Sequence, residues 1–145
     1  MFFHFAAPGH FGKMLPSHTQ DYFNFCNLAQ DLTAVTGACL MTSRETYEAV
    51  GGMDETFAVE YNDIDLCLRI QGLGKRVLYN PDVEIYHYES ISRGQHRHGP
   101  AALRSCRENG RMMQMYPRYF VEGDPYLNPG LVRMSEHRAL KKYLD

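Results

Sequence analysis

Tyr61-Asn62-Asp63-Ile64-Asp65-Leu66-Cys67-Leu68-Arg69-Ile70-Gln71-Gly72-Leu73-Gly74 is the stretch from which the rest of the chain can be read. Asn62 fits a helix cap, and Asp65 stands three residues on, in the capping-box position, although Asp is a weaker reciprocal partner than Glu. Leu66, Ile70 and Leu73 recur at spacings of four and three, so one helix face is predicted to be core. Gly72 and Gly74 end the helix. Asp63-Ile64-Asp65 spells the D-x-D of metal–nucleotide sites. On a helix, however, neighbours two apart point about 200° away from each other, so these carboxylates cannot share one ion. Asp65 is expected to cap the helix or to pair with Arg69 one turn on. Asp63 sits in the first turn, where its side chain can leave the helix and face a cleft, a position suited to a general base. Gly72-Leu73-Gly74-Lys75 is not a phosphate loop. It lacks the spacer, and Arg76 stands where Ser or Thr would bind magnesium.

Upstream, Thr33 to Thr42 is nearly free of charge and rich in small and β-branched residues, which predicts a strand buried on both faces, with Cys39 in it. Ser43 can cap a short helix from Arg44 to Val50, and Gly51-Gly52 supplies its left-handed stop. Downstream, Arg76–Tyr79 and Val83–His87 read as short strands around Asn80-Pro81-Asp82. Pro100 opens a helix to about Met115, which Tyr116-Pro117 stops. Ser135 can cap a last helix to Leu144. Residues 1–30 read as irregular.

The chain has 145 residues, 44% of them apolar and 22% charged, which fits one globular domain. No stretch approaches the ~20 apolar residues of a membrane helix. The opening Met1-Phe2-Phe3-His4-Phe5 lacks the basic leader of a signal peptide. Cys26, Cys39, Cys67 and Cys106 form no CxxC pair, so a zinc framework is not expected and reduced cytoplasmic thiols are. Net charge is −2, but residues 1–91 hold five Lys/Arg against twelve Asp/Glu, and residues 92–145 hold ten against five. The basic part lacks the aromatic platforms and the fold motif of a nucleic-acid binder, so no nucleic-acid partner is expected.

Val35-Thr36-Gly37-Ala38-Cys39-Leu40-Met41, Arg44-Glu45, Val50-Gly51-Gly52-Met53-Asp54-Glu55, Tyr61 to Arg69, Pro81 and His87-Tyr88-Glu89-Ser90-Ile91-Ser92-Arg93-Gly94, in that order and spacing, resemble a signature of family 2 glycosyltransferases. Asp124-Pro125-Tyr126-Leu127-Asn128-Pro129 resembles a tail motif of their bacterial surface-polysaccharide, rhamnosyltransferase-like subgroup. The match runs from about residue 8 to 131.

The resemblance implies an α/β fold, the C-terminal, acceptor-side half of a GT-A (Rossmann-like) domain over residues 1–95, with a helical extension over 96–145. It implies an inverting transfer from a nucleotide-sugar donor to a glycan or lipid-linked acceptor in cell-surface polysaccharide synthesis. Asp63 takes the role of catalytic base. Gly37, Ala38, Asn62 and Arg93 fall at donor, acceptor or diphosphate positions, and His87 at a position that can reach the metal or diphosphate. The family's nucleotide-binding strands, with the strand-end D-x-D that holds Mg²⁺ or Mn²⁺, have no counterpart here. The divalent cation is thus expected not to be held by this chain alone. The chain reads as a truncated gene, as one half of a split enzyme with a partner chain, or as a non-catalytic glycan- or partner-binding module. The implied location is cytoplasmic, at most peripheral to the inner membrane.

Overall fold

The computed structural model describes residues 2–3, 8–10, 16, 22–88, 99–128 and 130. The expected helix after Ser135 and the candidate Arg93 lie outside them. Among the described residues four antiparallel two-residue strands form two small ribbons: β1 (Phe2–Phe3) with β2 (Pro8–Gly9), and β3 (Gln30–Asp31) with β4 (Leu78–Tyr79). Gln30 faces Tyr79 and Asp31 faces Leu78. Among the described residues four α-helices follow the chain: α1 (Arg44–Ala49), α2 (Asn62–Gly72), α3 (Gly99–Met115) and α4 (Pro117–Val121). The architecture is mixed helix and small sheet.

The predicted α1 forms as read. The Ser43 hydroxyl accepts from the Thr46 N–H, and Gly51 and Gly52 take φ of 77° and 74° at its end. A cap of this kind contributes about 1 kcal/mol. Helix α3 also forms, but Pro117 does more than stop it. Tyr116 breaks the helical path with φ −129° and ψ 50°, and Pro117 then opens α4 at the one place where its missing N–H costs nothing.

Two predicted strands are absent among the described residues. In Thr33–Thr42 only the start is buried. Gly37–Cys39 is a 3-10 turn, Cys39 is exposed and Met41 is 97% exposed. The segment is diverted because the Thr36 side chain caps the turn by accepting from the Ala38 N–H. Val83–His87 has strand composition but forms no strand, and Tyr86 and Tyr88 are 84% and 73% exposed. A strand preference is realised against a neighbour and a covering layer, and nothing among the described residues supplies them.

One core joins the pieces. Ile64, Cys67 and Leu68 of α2 pack with Ala34, Phe57, Val77, Met112 of α3 and Phe120 of α4. Phe57 and Ile64 are 1% exposed, and each side chain contributes about 1.5–3 kcal/mol through burial. Helix α2 is buried over more than the one predicted face, since Ile64 to Leu68 are all covered, whereas Leu73 lies half exposed past its end. Gly74, at φ 76°, turns the chain so that its N–H reaches the Gln71 carbonyl at 2.8 Å, a helix stop as expected. Two long-range bonds hold the stretch before Gly37 in place. The Leu32 N–H reaches the Val77 carbonyl at 3.0 Å, and the Thr33 hydroxyl donates to the Asp124 carboxylate at 2.7 Å.

Candidate active site

The start of α2 is not built as predicted. Asn62 is its first residue rather than its cap. Tyr61 occupies the cap position in the left-handed region, at φ 65° and ψ 0°, with no side-chain capping bond. A non-glycine residue there costs about 1–2 kcal/mol. The Asp65 N–H, expected in a capping box, donates instead to the Tyr61 carbonyl at 2.8 Å. The Asn62 side-chain carbonyl accepts from the Asp63 N–H at 2.8 Å. Burial, with Glu60 and Glu108 nearby, pushes the Tyr61 phenol up to about 12.

This turn delivers Asp63 to the 3-10 turn at Gly37–Cys39. The Gly37 N–H donates to Asp63 Oδ2 at 2.7 Å, and the Ile64 N–H donates to Asp63 Oδ1 at 2.9 Å. Each oxygen is thus engaged once, and a carboxylate has about four lone-pair positions, so each keeps one for an incoming group. Asp63 is partly exposed, and Gly37 and Ala38 beside it are exposed. Gly37 is small for a reason its sequence does not show. Its φ is ordinary, but a β-carbon on it would stand 3.2 Å from the Asp63 β-carbon. The glycine makes room for the carboxylate.

Asp65 is the opposite case, as the helical geometry requires. It is 0% exposed and tied on both oxygens: Tyr116 donates its hydroxyl to Oδ1 at 2.6 Å, and Arg69 Nε reaches Oδ2 at 2.8 Å. The expected pairing with Arg69 is present, at 2.7 Å from Nη2. Arg69 also donates to the carbonyls of Val50 and Gly52, so the pair welds α2 to the end of α1. Burial and then the bond to Asp65 push the Tyr116 phenol well above its ordinary range. Burial likewise pushes the Cys67 thiol up, in keeping with a core residue.

The remaining candidates are not gathered around Asp63 in the same way. His87 is exposed on the extended segment after β4. Arg93 lies outside the described residues. Among the described residues no group of three or more His, Cys, Asp or Glu is placed to hold a metal ion. A shallow cleft of about 370 Å³ opens elsewhere, lined by Thr56, Arg107, Glu108, Gly110, Arg111 and Gln114. No helix among the described residues is long and apolar enough to cross a membrane. Sequence reasoning passed over Tyr61, Glu108 and Tyr116. Only Tyr116 carried a signal, its place beside a helix-stopping proline.

Known proteins of similar sequence bear on this geometry. The chain is 37% identical over 127 residues to the uncharacterized protein y4gI of Sinorhizobium fredii, covering 87% of this chain and 14% of that protein. It is 31% identical over 121 residues to the O-antigen biosynthesis protein RfbC of Myxococcus xanthus, covering 83% of this chain and 9% of that one. It is 33% identical over 61 residues to an N-acetylglucosaminyl-diphospho-decaprenol L-rhamnosyltransferase of Mycobacterium tuberculosis, 42% of this chain and 20% of that protein. The O-antigen and rhamnosyltransferase relatives make the similarity glycosyltransferase-like, and the chain spans a fifth or less of the length of each of the three proteins. No family model and no solved structure matches.

Proposed function

We propose that this chain is the acceptor-side half of an inverting family 2-like glycosyltransferase of GT-A type, acting in cell-surface polysaccharide synthesis, with Asp63 as its base. The observation that carries the reading is the Asp63 carboxylate itself. It is oriented by two backbone N–H groups and open to an incoming hydroxyl, whereas Asp65 is sealed in the core. The names of the rhamnosyltransferase and O-antigen relatives support the substrate class.

In the proposed step Asp63 accepts the proton of an acceptor hydroxyl on a glycan or lipid-linked sugar. The freed oxygen bonds to the anomeric carbon of a nucleotide-sugar from the face opposite the nucleoside diphosphate. The bond to the diphosphate breaks, the leaving group keeps the electron pair, and the configuration inverts. Gly37, Ala38 and Asn62 form the wall beside the base. Arg93, on the segment after His87, is assigned to the diphosphate. His87 supplies at most one ligand to a divalent cation, Mg²⁺ or Mn²⁺, that residues outside this chain hold.

The nucleotide-binding half is supplied by a partner chain or by flanking sequence such as the longer relatives carry. Residues 1–95 act as the base-bearing half and residues 96–145 as a helical extension on it. The proposed location is cytoplasmic, at the inner membrane surface. A second reading, a non-catalytic partner- or glycan-binding module, is favoured by one feature. Val83, Ile85, Tyr86 and Tyr88 are all exposed within six residues, and exposed apolar side chains gathered in this way are the kind a partner covers.

Calorimetry with UDP-, GDP- and dTDP-sugars plus Mn²⁺ tests the division of labour. The lone chain is expected to bind none of them at micromolar concentrations, and the chain joined to the rest of the S. fredii relative is expected to bind one. Micromolar binding by the lone chain would place the donor site here.

A further inference from the structure

The loop that leads into Asp63 is gripped from outside by α3. The Glu60 N–H donates to Glu108 Oε2 at 2.7 Å, and the Val59 N–H points to the same oxygen at 3.4 Å. The grip is reciprocal, because the Ser105 hydroxyl donates to the Glu60 carboxylate at 2.7 Å. Ser105 and Glu108 lie three residues apart and share a helix face. Glu108 is 3% exposed, with the Arg104 guanidinium 3.8 Å from its other oxygen. A buried carboxylate is tolerated where hydrogen bonds and a counter-charge fill its lone pairs, and here backbone N–H groups of one loop do most of the filling.

The grip matters because the gripped loop runs directly into the candidate base. Tyr61 comes after Glu60, in the left-handed region, and then Asn62 and Asp63. Unfavourable backbone persists only where its surroundings over-determine it. On the helix side the Asp65 N–H holds the Tyr61 carbonyl, and on the loop side Glu108 and Ser105 hold Glu60. The direction in which α2 starts, and with it the meeting of Asp63 with the Gly37 N–H, is set between these two anchors. Attachment of α3 to the core does not itself require Glu108, since Met112 of the same helix is 0% exposed in the core cluster.

We infer that Glu108, assisted by Ser105, is a positioning residue for the Asp63 site. It fixes residues 59–61 so that the carboxylate meets Gly37. The inference rests on the reading of Asp63 as the base, yet its test needs neither donor nor acceptor, so the two can fail separately. The full 145-residue chain is compared with Glu108→Ala, Glu108→Gln, Ser105→Ala and Met112→Ala by NMR. Water exchange at the Gly37 N–H and the Asp63 side-chain carbonyl shift are followed against amides inside α2. Glu108→Ala is expected to speed Gly37 exchange about tenfold or more while α2 amides change less than about threefold, the loss of a charge-assisted bond. Glu108→Gln keeps an acceptor oxygen and should restore Gly37 to within about threefold, and Ser105→Ala should fall between them. Met112→Ala should loosen amides broadly, without singling out Gly37. Should Glu108→Ala fail to fold, Ser105→Ala and Glu108→Gln carry the test. Unchanged Gly37 exchange in Glu108→Ala, or in Ser105→Ala where that variant carries the test, would overturn the inference. So would loosening in proportion to α2, or a glutamine variant no better than alanine.

Discussion

Asp63 and Asp65 stand two residues apart on the first turn of one helix, and the fold treats them in opposite ways. Asp65 is enclosed and bound by a guanidinium and a phenol, one from its own helix and one from beyond α3. Asp63 is oriented by backbone N–H groups alone and keeps one side open. Full enclosure by charged and hydroxyl partners makes a weld. Orientation by rigid backbone donors leaves a carboxylate aimed and available. The same pair of letters therefore holds a structural acid and a candidate chemical one, and the helical period separates them.

The sharpest way to break the contrast is to neutralise each in turn in the chain joined to its donor-binding half. Asp63→Asn is expected to lower turnover about 10²–10⁴-fold, the usual span for a general base, with donor affinity held. Equal losses in Asp65→Asn at unchanged melting temperature would erase the distinction. In the isolated chain the order reverses. Asp65→Asn should cost about 3 kcal/mol in urea unfolding, the low end for a broken buried pair because Arg69 still reaches water. Asp63→Asn should cost less than about 1 kcal/mol, as befits partly exposed hydrogen bonds. A larger loss for Asp63 than for Asp65 would show that the first is structural.

Gly37→Ala probes the open side. The added methyl would stand 3.2 Å from the Asp63 β-carbon, so the carboxylate must shift by a few tenths of an ångström. Turnover should fall about tenfold, since misplacement by about 1 Å costs about 10²-fold. Unchanged turnover would mean that the contact does not aim the base.

The smallest effect concerns the enclosed side at high pH. Tyr61 and Tyr116 have folded-state values raised above the ordinary 10.0, Tyr61 to about 12. For groups shifted in this direction the stabilisation is complete below pH about 10 and is lost as pH rises through the folded values. The sign follows from proton uptake: above pH about 10 the unfolded chain releases phenolic protons that the folded chain keeps. Stability should therefore decline between pH about 10 and 12, and Tyr116→Phe should flatten part of that slope. A slope unchanged in Tyr116→Phe would remove the phenol from the weld.

Local pattern made the Ser43 cap, the glycine stops, the Asp65–Arg69 pair and the separation of Asp63 from Asp65 legible, because each depends on residues within one or two turns. What escaped depends on distant partners. The stretch around Gly37 reads as a buried strand, yet Thr36 caps a turn and the Gly37 N–H finds Asp63, 26 residues on. Asn62 reads as a cap, but Glu108, 48 residues beyond Glu60, holds the loop that lets Tyr61 take that place. Val83–His87 reads as a strand from β-branched and aromatic residues, and its exposure shows that composition without a neighbour does not make a sheet.

The central claim, one base in a single displacement, has a direct test in the anomeric configuration of the product. The chain joined to its donor-binding half is given an α-linked nucleotide-sugar and an acceptor, and the new linkage is read from proton couplings by NMR. A β linkage, formed by the native protein and lost with Asp63→Asn, is the expected result. An α linkage would require a second nucleophile and would contradict the role assigned to Asp63.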